Sequence, residues 1–126
     1  MLTGYQKTKA IALIHSRLYP EDYQTLPPDM LKPLIGQCVD ADFDYMISSG
    51  ISLPDGTDGD YYYTKRNARQ FIFQALIRKN RFTGEQCLEL LALVDDYMDF
   101  NRSYLELNGL RYHEDELISP RELEWW

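Results

Sequence analysis

The sequence has few cysteines and no long apolar run. No uninterrupted apolar stretch is longer than Leu90 to Val94, which is far short of the ~20 residues that a membrane-spanning helix needs. The only cysteines are Cys38 and Cys87, without a Cys-x-x-Cys pair, so the sequence indicates neither a disulfide framework nor a common zinc site. Two core thiols in a reducing compartment are the favoured interpretation, and one disulfide is the alternative.

Signals for secretion and for phosphate binding are also missing. Residues 1–19 are polar and lack the basic start and apolar run of a secretory signal. Neither G-x-G-x-x-G nor G-x-x-x-x-G-K-[ST] occurs, so no glycine-rich phosphate loop is predicted. We therefore expect a cytoplasmic protein without a cofactor.

Acidic stretches resemble metal sites but lack the required spacing. The run 113–116 reads His-Glu-Asp-Glu, and consecutive loop residues rarely converge on one ion. In 55–60, and in the alternating acids Asp40, Asp42 and Asp44, tyrosines stand where a calcium loop needs glycine or a ligand. We predict solvated acids and turn formers there, and no metal.

The remaining composition is typical of one soluble globular domain. The chain has 126 residues, of which 44% are hydrophobic and 26% are charged. A globular chain of this length and composition can bury a hydrophobic core. We predict a single helical domain over residues 1–126. Its fold class is predicted to be all-α: a small irregular four-helix bundle with a short C-terminal helix and one long loop at about 50–62.

The net charge of −7 is divided into alternating blocks along the chain. Residues 1–19 and 61–84 contain basic side chains and no acid, whereas 20–60 and 85–126 are strongly acidic. Charge pairing between neighbouring helices is the favoured explanation. The alternative is a surface with two opposed patches that would steer a charged partner.

Capping signals mark the ends of two predicted helices. The segment 83–86 reads Thr-Gly-Glu-Gln, a capping box, and Asn108-Gly109 is a typical stop, so one long helix should cover 83–108. A similar box at 3–6 predicts a helix over about 4–18.

The two middle helices have less distinct starts. One should end at about Ser49, and two starts stay open: directly after Pro27-Pro28, or after a separate turn at 29–32, because Pro33 is best accommodated in a first turn. The other should cover about 62–79 or 65–79. A tight link follows it, so this helix and the long one should form an antiparallel hairpin.

Extra apolar lines and aromatic residues favour protein–protein recognition. Leu93, Phe100 and Leu107 form a second apolar line on the long helix, so that helix is either central or partly an exposed interface. The three consecutive tyrosines of 61–63 cannot all face the core. A third capping box, at 119–122, predicts a short helix that carries the last two tryptophans.

From these patterns we predict a non-enzymatic interaction module: a small acidic inhibitor, an immunity or anti-defence protein, or an adaptor. Its protein partner should be basic, such as a nucleic-acid-binding protein. We expect no membrane binding, and direct nucleic-acid binding is disfavoured. A homodimer through Leu93, Phe100 and Leu107 is a further alternative. The predicted partner-binding residues are Asp40, Asp44, Asp95, Asp96, Asp99, Tyr61, Tyr62, Phe100, Trp125 and Trp126.

Two other functions stay open at this stage. Asp42 lies within a predicted apolar face. There it either bonds a tyrosine hydroxyl or His15 in the core, which we favour, or acts as a base in an enzyme pocket.

The basic segment 65–81 precedes a turn and a helix, as in a nucleic-acid-binding motif, but Glu85 and Glu89 would repel phosphates there. The basic patch consists of Lys65, Arg66, Arg69, Arg78, Lys79 and Arg81.

Overall fold

A computed structural model describes residues 3–114, which form four α-helices and one short 3-10 helix. The α-helices are α1 (Lys7–Arg17), α2 (Pro28–Ser48), α3 (Lys65–Lys79) and α4 (Gly84–Leu107). Over these residues the β-type pairing is limited to one isolated bridge, between Ser52 and Asp58. The predicted all-α bundle with a long loop is confirmed, and the predicted C-terminal helix lies outside the described residues.

Ion pairs indicate that α1 runs antiparallel to α2 and that α3 runs antiparallel to α4. The Lys7 ammonium lies 2.7 Å from the Asp40 carboxylate, which joins the start of α1 to the second half of α2. Arg69 pairs with Asp95, and Lys65 pairs with Asp99 at 3.4 Å, so α3 and α4 form the predicted antiparallel hairpin.

Hydrogen bonds between distant residues close the bundle. Asn80, at the end of α3, donates from its amide to Gln37 of α2 at 2.8 Å. The Tyr5 hydroxyl, before α1, donates to Asn101 of α4 at 2.7 Å. The beginning of α1 therefore lies beside the last turns of α4.

The core is built from the apolar faces of all four helices. Each fully buried Ile, Leu or Val side chain contributes about 1.5–3 kcal/mol relative to exposure. Leu93 belongs to this core although it lies on the second apolar line of α4, so α4 is buried on more than one face. The core includes Ile14, Leu34, Ile35, Met46, Ile72, Leu76, Leu90, Leu93, Val94 and Met98.

The capping box at the start of α4 is confirmed. The Thr83 hydroxyl accepts from the Gln86 backbone N–H at 3.2 Å, and the Gln86 side chain accepts from the Thr83 N–H at 3.0 Å. These bonds satisfy two donors that a helix start leaves unpaired.

The predicted start of α1 is wrong, and of the two starts left open for α2 the earlier one is observed. α1 begins at Lys7 rather than near Gly4, because Gly4 has a φ of 92°, which a right-handed helix does not accommodate. α2 begins at Pro28, so Pro33 lies inside the helix and 29–32 are not a separate turn. Pro28 itself occupies the first position, where its missing N–H has no cost.

Glu89 fixes the connector between α1 and α2. Its carboxylate accepts the backbone N–H of Thr25 at 2.9 Å and that of Leu26 at 3.1 Å. Burial acts to raise the pKa of Glu89, but these hydrogen bonds outweigh it and lower the pKa. An acid that the sequence predicted only to repel phosphates therefore has a structural role.

No helix within residues 3–114 is long and apolar enough to span a membrane.

Candidate functional site

Asp42 lies inside the bundle with 1% of its surface exposed. Its carboxylate accepts from the hydroxyls of Tyr63 at 2.9 Å, Tyr97 at 2.7 Å and Tyr112 at 2.9 Å. The predicted core bond between Asp42 and a tyrosine hydroxyl is confirmed. His15 is exposed on α1 and takes no part in these bonds.

Asn101 orders the tyrosines around this carboxylate. Its amide nitrogen donates to the hydroxyls of Tyr112 at 2.6 Å and Tyr97 at 3.3 Å, and its oxygen accepts from Tyr5. Because Asn101 supplies donors to these hydroxyls, their own protons are directed at Asp42. The Asp42 network is the set Tyr5, Asp42, Tyr63, Tyr97, Asn101 and Tyr112.

The charge of Asp42 has no cationic partner among residues 3–114. Burial raises its pKa to about 6, although the hydrogen bonds from the three tyrosines act to lower it. A general base must come within hydrogen-bond reach of a substrate, whereas this carboxylate is buried and already accepts three hydrogen bonds from core tyrosines. Its geometry therefore does not support the enzyme hypothesis.

The predicted acids of α4 are already engaged with neighbouring segments. Asp95 accepts from the Arg69 guanidinium at 2.5 and 3.2 Å, and Asp99 pairs with Lys65. Asp96 accepts from the Tyr23 hydroxyl. Lys65 and Arg69 of the basic block 61–84 thus pair with acids of the neighbouring helix α4, as the favoured explanation of the charge blocks predicted.

The predicted basic patch is divided between the two ends of α3. Lys65 and Arg69 face the acids of α4, and Arg66 is exposed beside them. Arg78, Lys79 and Arg81 are exposed at the far end, ~20 Å away at the rise of an α-helix. The six side chains therefore do not form one continuous surface.

The predicted dimer line on α4 is also discontinuous. Leu93 is buried and Phe100 is half-buried, whereas Leu107 is 69% exposed. The other predicted aromatic contacts, Trp125 and Trp126, lie outside the described residues.

Among the predicted aromatic residues within 3–114, the most exposed lie in the loop between α2 and α3. Tyr61 is 66% exposed and Tyr62 is 47% exposed, while the next residue, Tyr63, points into the core. The predicted outward exposure of part of this run is confirmed. We call Leu53, Asp55, Asp58, Asp60, Tyr61 and Tyr62 the acidic loop surface.

Backbone contacts give this loop a defined shape. The Tyr61 N–H donates to the Gly50 carbonyl at 3.1 Å, and the Gly59 N–H donates to the Ile51 carbonyl at 2.9 Å. A side chain at Gly59 would collide with the Gly50 carbonyl, so only glycine allows this close approach. The exposed tyrosines are therefore presented on an ordered turn.

The acids of the loop differ in their partners. Asp55 accepts from the Thr57 hydroxyl at 2.6 Å and from its N–H, and these bonds lower the pKa of Asp55. Asp58 lies 3.2 Å from the His113 ring nitrogen. No basic side chain within residues 3–114 forms an ion pair with Asp60, so its charge is available to a partner.

His113 is a residue of this region that sequence reasoning missed as a contact. Its ring lies 4.7 Å from the Tyr62 ring, and its carbonyl accepts from the Tyr63 N–H at 2.6 Å. Nothing in the local pattern links positions 50 residues apart, so the sequence held no signal for this contact.

Neither metal ligation nor thiol pairing is seen in the described part of the chain. No group of three or more His, Cys, Asp or Glu side chains among residues 3–114 is placed to hold an ion. Cys38 and Cys87 are both free thiols, and burial, followed by the nearby Asp42, raises the pKa of Cys38.

Comparison with known proteins gives no assignment: the chain matches no protein-family model, no curated protein and no solved structure. The fold is a small helical bundle, and its two distinctive regions are the Asp42 network and the acidic loop surface.

Proposed function

We propose that this chain is a non-enzymatic interaction module that binds a basic protein through its acidic loop surface. Its main support is the exposure of Tyr61 and Tyr62 beside Asp60. Tyrosine is enriched among the residues that dominate binding energy at protein interfaces. A tyrosine pair flanked by acids fits a partner with an apolar pocket surrounded by Lys or Arg.

The ordered turn favours binding because less conformational entropy is lost when the tyrosines become buried. The bonds from Tyr61 and Gly59 to the loop backbone hold the turn in place before any partner arrives. The charge of Asp60 would mainly accelerate association with a basic protein and select against acidic ones.

The acids on the helices have a smaller part in this proposal. Asp40, Asp95 and Asp99 already pair with basic side chains of neighbouring helices, so a partner would compete with existing ion pairs. Asp44 is exposed at the end of α2 that leads into the loop and can extend the acidic area.

The proposed class is an inhibitor, an immunity or anti-defence protein, or an adaptor in the cytoplasm. A nucleic-acid-binding protein is a fitting partner, because acidic side chains can occupy a basic site in place of phosphates. The two free thiols are consistent with a reducing compartment.

Affinity capture followed by binding of the purified pair tests the proposal. The full chain and the variants Tyr61→Ala and Tyr19→Ala are used as bait in nuclease-treated host lysate at two salt concentrations. Tyr19 is a matched control, because it is 62% exposed but lies in the connector after α1. The purified partner should be basic and bind Tyr19→Ala normally, with at least tenfold weaker binding to Tyr61→Ala.

Binding that is unaffected by both Tyr61→Ala and Asp60→Lys would contradict the acidic loop surface as the site. A captured complex that disappears with nuclease would instead favour the hypothesis of a nucleic-acid-associated protein, with the exposed Arg78, Lys79 and Arg81 as the next residues to change.

A further inference from the structure

Two short segments outside the helices cover Asp42. We call them the cover: residues 61–64, before α3, and residues 110–114, after α4. The rings of Tyr63 and Tyr112 are stacked with centroids 3.9 Å apart, and both hydroxyls donate to Asp42. The Tyr63 N–H also donates to the His113 carbonyl, so the two segments are tied to each other.

The cover is attached to the helices mainly by side chains. The Arg102 guanidinium lies over the Tyr112 ring at 5.7 Å and pairs with Glu114. The Leu110 N–H donates to the Leu105 carbonyl at 2.8 Å, which ends α4. Release of the cover would break these contacts and expose the buried rings of Tyr63 and Tyr112. It would not require a helix to unwind, as in other local openings.

The two charge states of Asp42 respond differently to such an opening. An ionised carboxylate without a cation is costly to bury, and neutral hydroxyl donors compensate for only part of that cost. Release of Tyr63 and Tyr112 would admit water to the carboxylate. The ionised state therefore favours an open cover, and the protonated state favours a closed one.

We propose that Asp42 is a proton-controlled latch: proton binding keeps the cover closed, and ionisation promotes its release. The latch is a property of the fold and does not depend on the proposed function. Because Tyr61 and Tyr62 directly precede Tyr63, each opening would also displace the acidic loop surface.

The other ionisable groups around Asp42 stay neutral over the relevant pH range. Burial, together with the Asp42 charge, raises the pKa of each of these groups. They are Tyr5, Cys38, Tyr63, Tyr97 and Tyr112. Since burial raises the pKa of Asp42 to about 6, its charge changes between mildly acidic and neutral pH. The cover itself carries Arg111, His113 and Glu114: His113 lies beside Asp58, and Glu114 pairs with Arg102.

Amide hydrogen exchange of the full chain by NMR, from pH 4 to 7.5, tests the latch. After correction for intrinsic rates, protection of the Tyr63 amide should fall about tenfold to a hundredfold as pH rises through about 6. Val94, in the core of α4, serves as the reference amide and should show a smaller change.

Three variants identify the group whose ionisation causes this loss of protection. Asp42→Asn should abolish the pH dependence, and His113→Gln should retain it. If Asp42→Asn does not fold, Tyr63→Phe replaces it. This variant keeps the stacked ring but removes one donor to the carboxylate, so the pH at the midpoint of the protection change should be higher. The proposal would be overturned if protection of the residue 63 amide did not depend on pH, or if its pH dependence were unchanged in both Asp42→Asn and Tyr63→Phe. It would also be overturned if the pH dependence were lost in His113→Gln, or if the Val94 amide lost protection to the same extent.

Discussion

Asp42 and Asp60 are chemically identical side chains in opposite environments. Asp42 is enclosed, accepts from three tyrosine hydroxyls and has a raised pKa because of burial. Asp60 is exposed beside two exposed tyrosines and has no ion pair within residues 3–114. The bundle therefore uses one acid to organise its interior and presents another on a loop, where its charge costs little and is available for recognition.

Replacement of the two acids should separate these roles most clearly. Asp42→Ala leaves three buried hydroxyl donors without their acceptor, so the free energy of unfolding should fall by about 3–5 kcal/mol. Asp60→Ala should change it by less than about 0.5 kcal/mol, as is usual for exposed sites. Urea denaturation monitored by circular dichroism measures both, and similar losses in the two variants would break the comparison.

The pH dependence of stability should report the same difference. The folded pKa of Asp42, about 6, lies above the value of 3.8 that applies to the unfolded chain. Its contribution to stability is therefore fully present below pH 3.8 and is lost as pH rises through about 6, by up to about 3 kcal/mol. Asp42→Asn should remove this pH-dependent contribution. Subtracting the variant's free energy of unfolding from that of the wild type at each pH cancels the contributions of other acids.

A profile difference that stays flat between pH 4 and 7 would show that Asp42 does not change charge in this range. In that case the tyrosine hydrogen bonds would outweigh burial.

The consecutive residues Tyr61 and Tyr63 allow a finer test. Tyr63→Phe removes a buried donor to Asp42 while keeping the ring stack with Tyr112, so it should destabilise the protein by about 1–2 kcal/mol. Tyr61→Phe should have almost no effect, because that hydroxyl is on the exposed side of the loop. Thermal denaturation at pH 7 compares the two variants. Equal effects would contradict the conclusion that Tyr63 faces the core and Tyr61 faces solvent.

The helices could be predicted from the sequence because their signals are local. The capping box at Thr83 and the stop at Asn108-Gly109 act within one or two turns, and α4 was placed to within one residue at each end. The start of α1 was misplaced because Gly4 adopts a positive φ, while the Tyr104 hydroxyl accepts from the Gln6 N–H instead. That contact joins residues nearly 100 positions apart, so no local pattern reveals it.

The same distinction applies to the candidate sites. The position of Asp42 on an apolar face predicts a buried acid bonded to a tyrosine or to His15, but the chain has ten tyrosines and the sequence does not identify which of them contribute. Tyr63, Tyr97 and Tyr112 come from three separate segments, and only packing of the bundle brings them together. Likewise, the pairing of Asp95 and Asp99 with α3 depends on the register of the hairpin.

Charge reversal at the loop should have the smallest effect on folding and the clearest effect on recognition. Asp60→Lys should keep the free energy of unfolding within about 0.5 kcal/mol, since no contact of residues 3–114 depends on that carboxylate. It should slow association with a basic partner, and the difference from wild type should shrink at high salt as the charges are screened. Stopped-flow or surface-plasmon kinetics at two ionic strengths measure the association rate. Glu106→Lys, an exposed acid near the end of α4, is the matched control for net charge. If both reversals slow association equally, the overall acidity of the chain attracts the partner, and the loop has no special part in recognition.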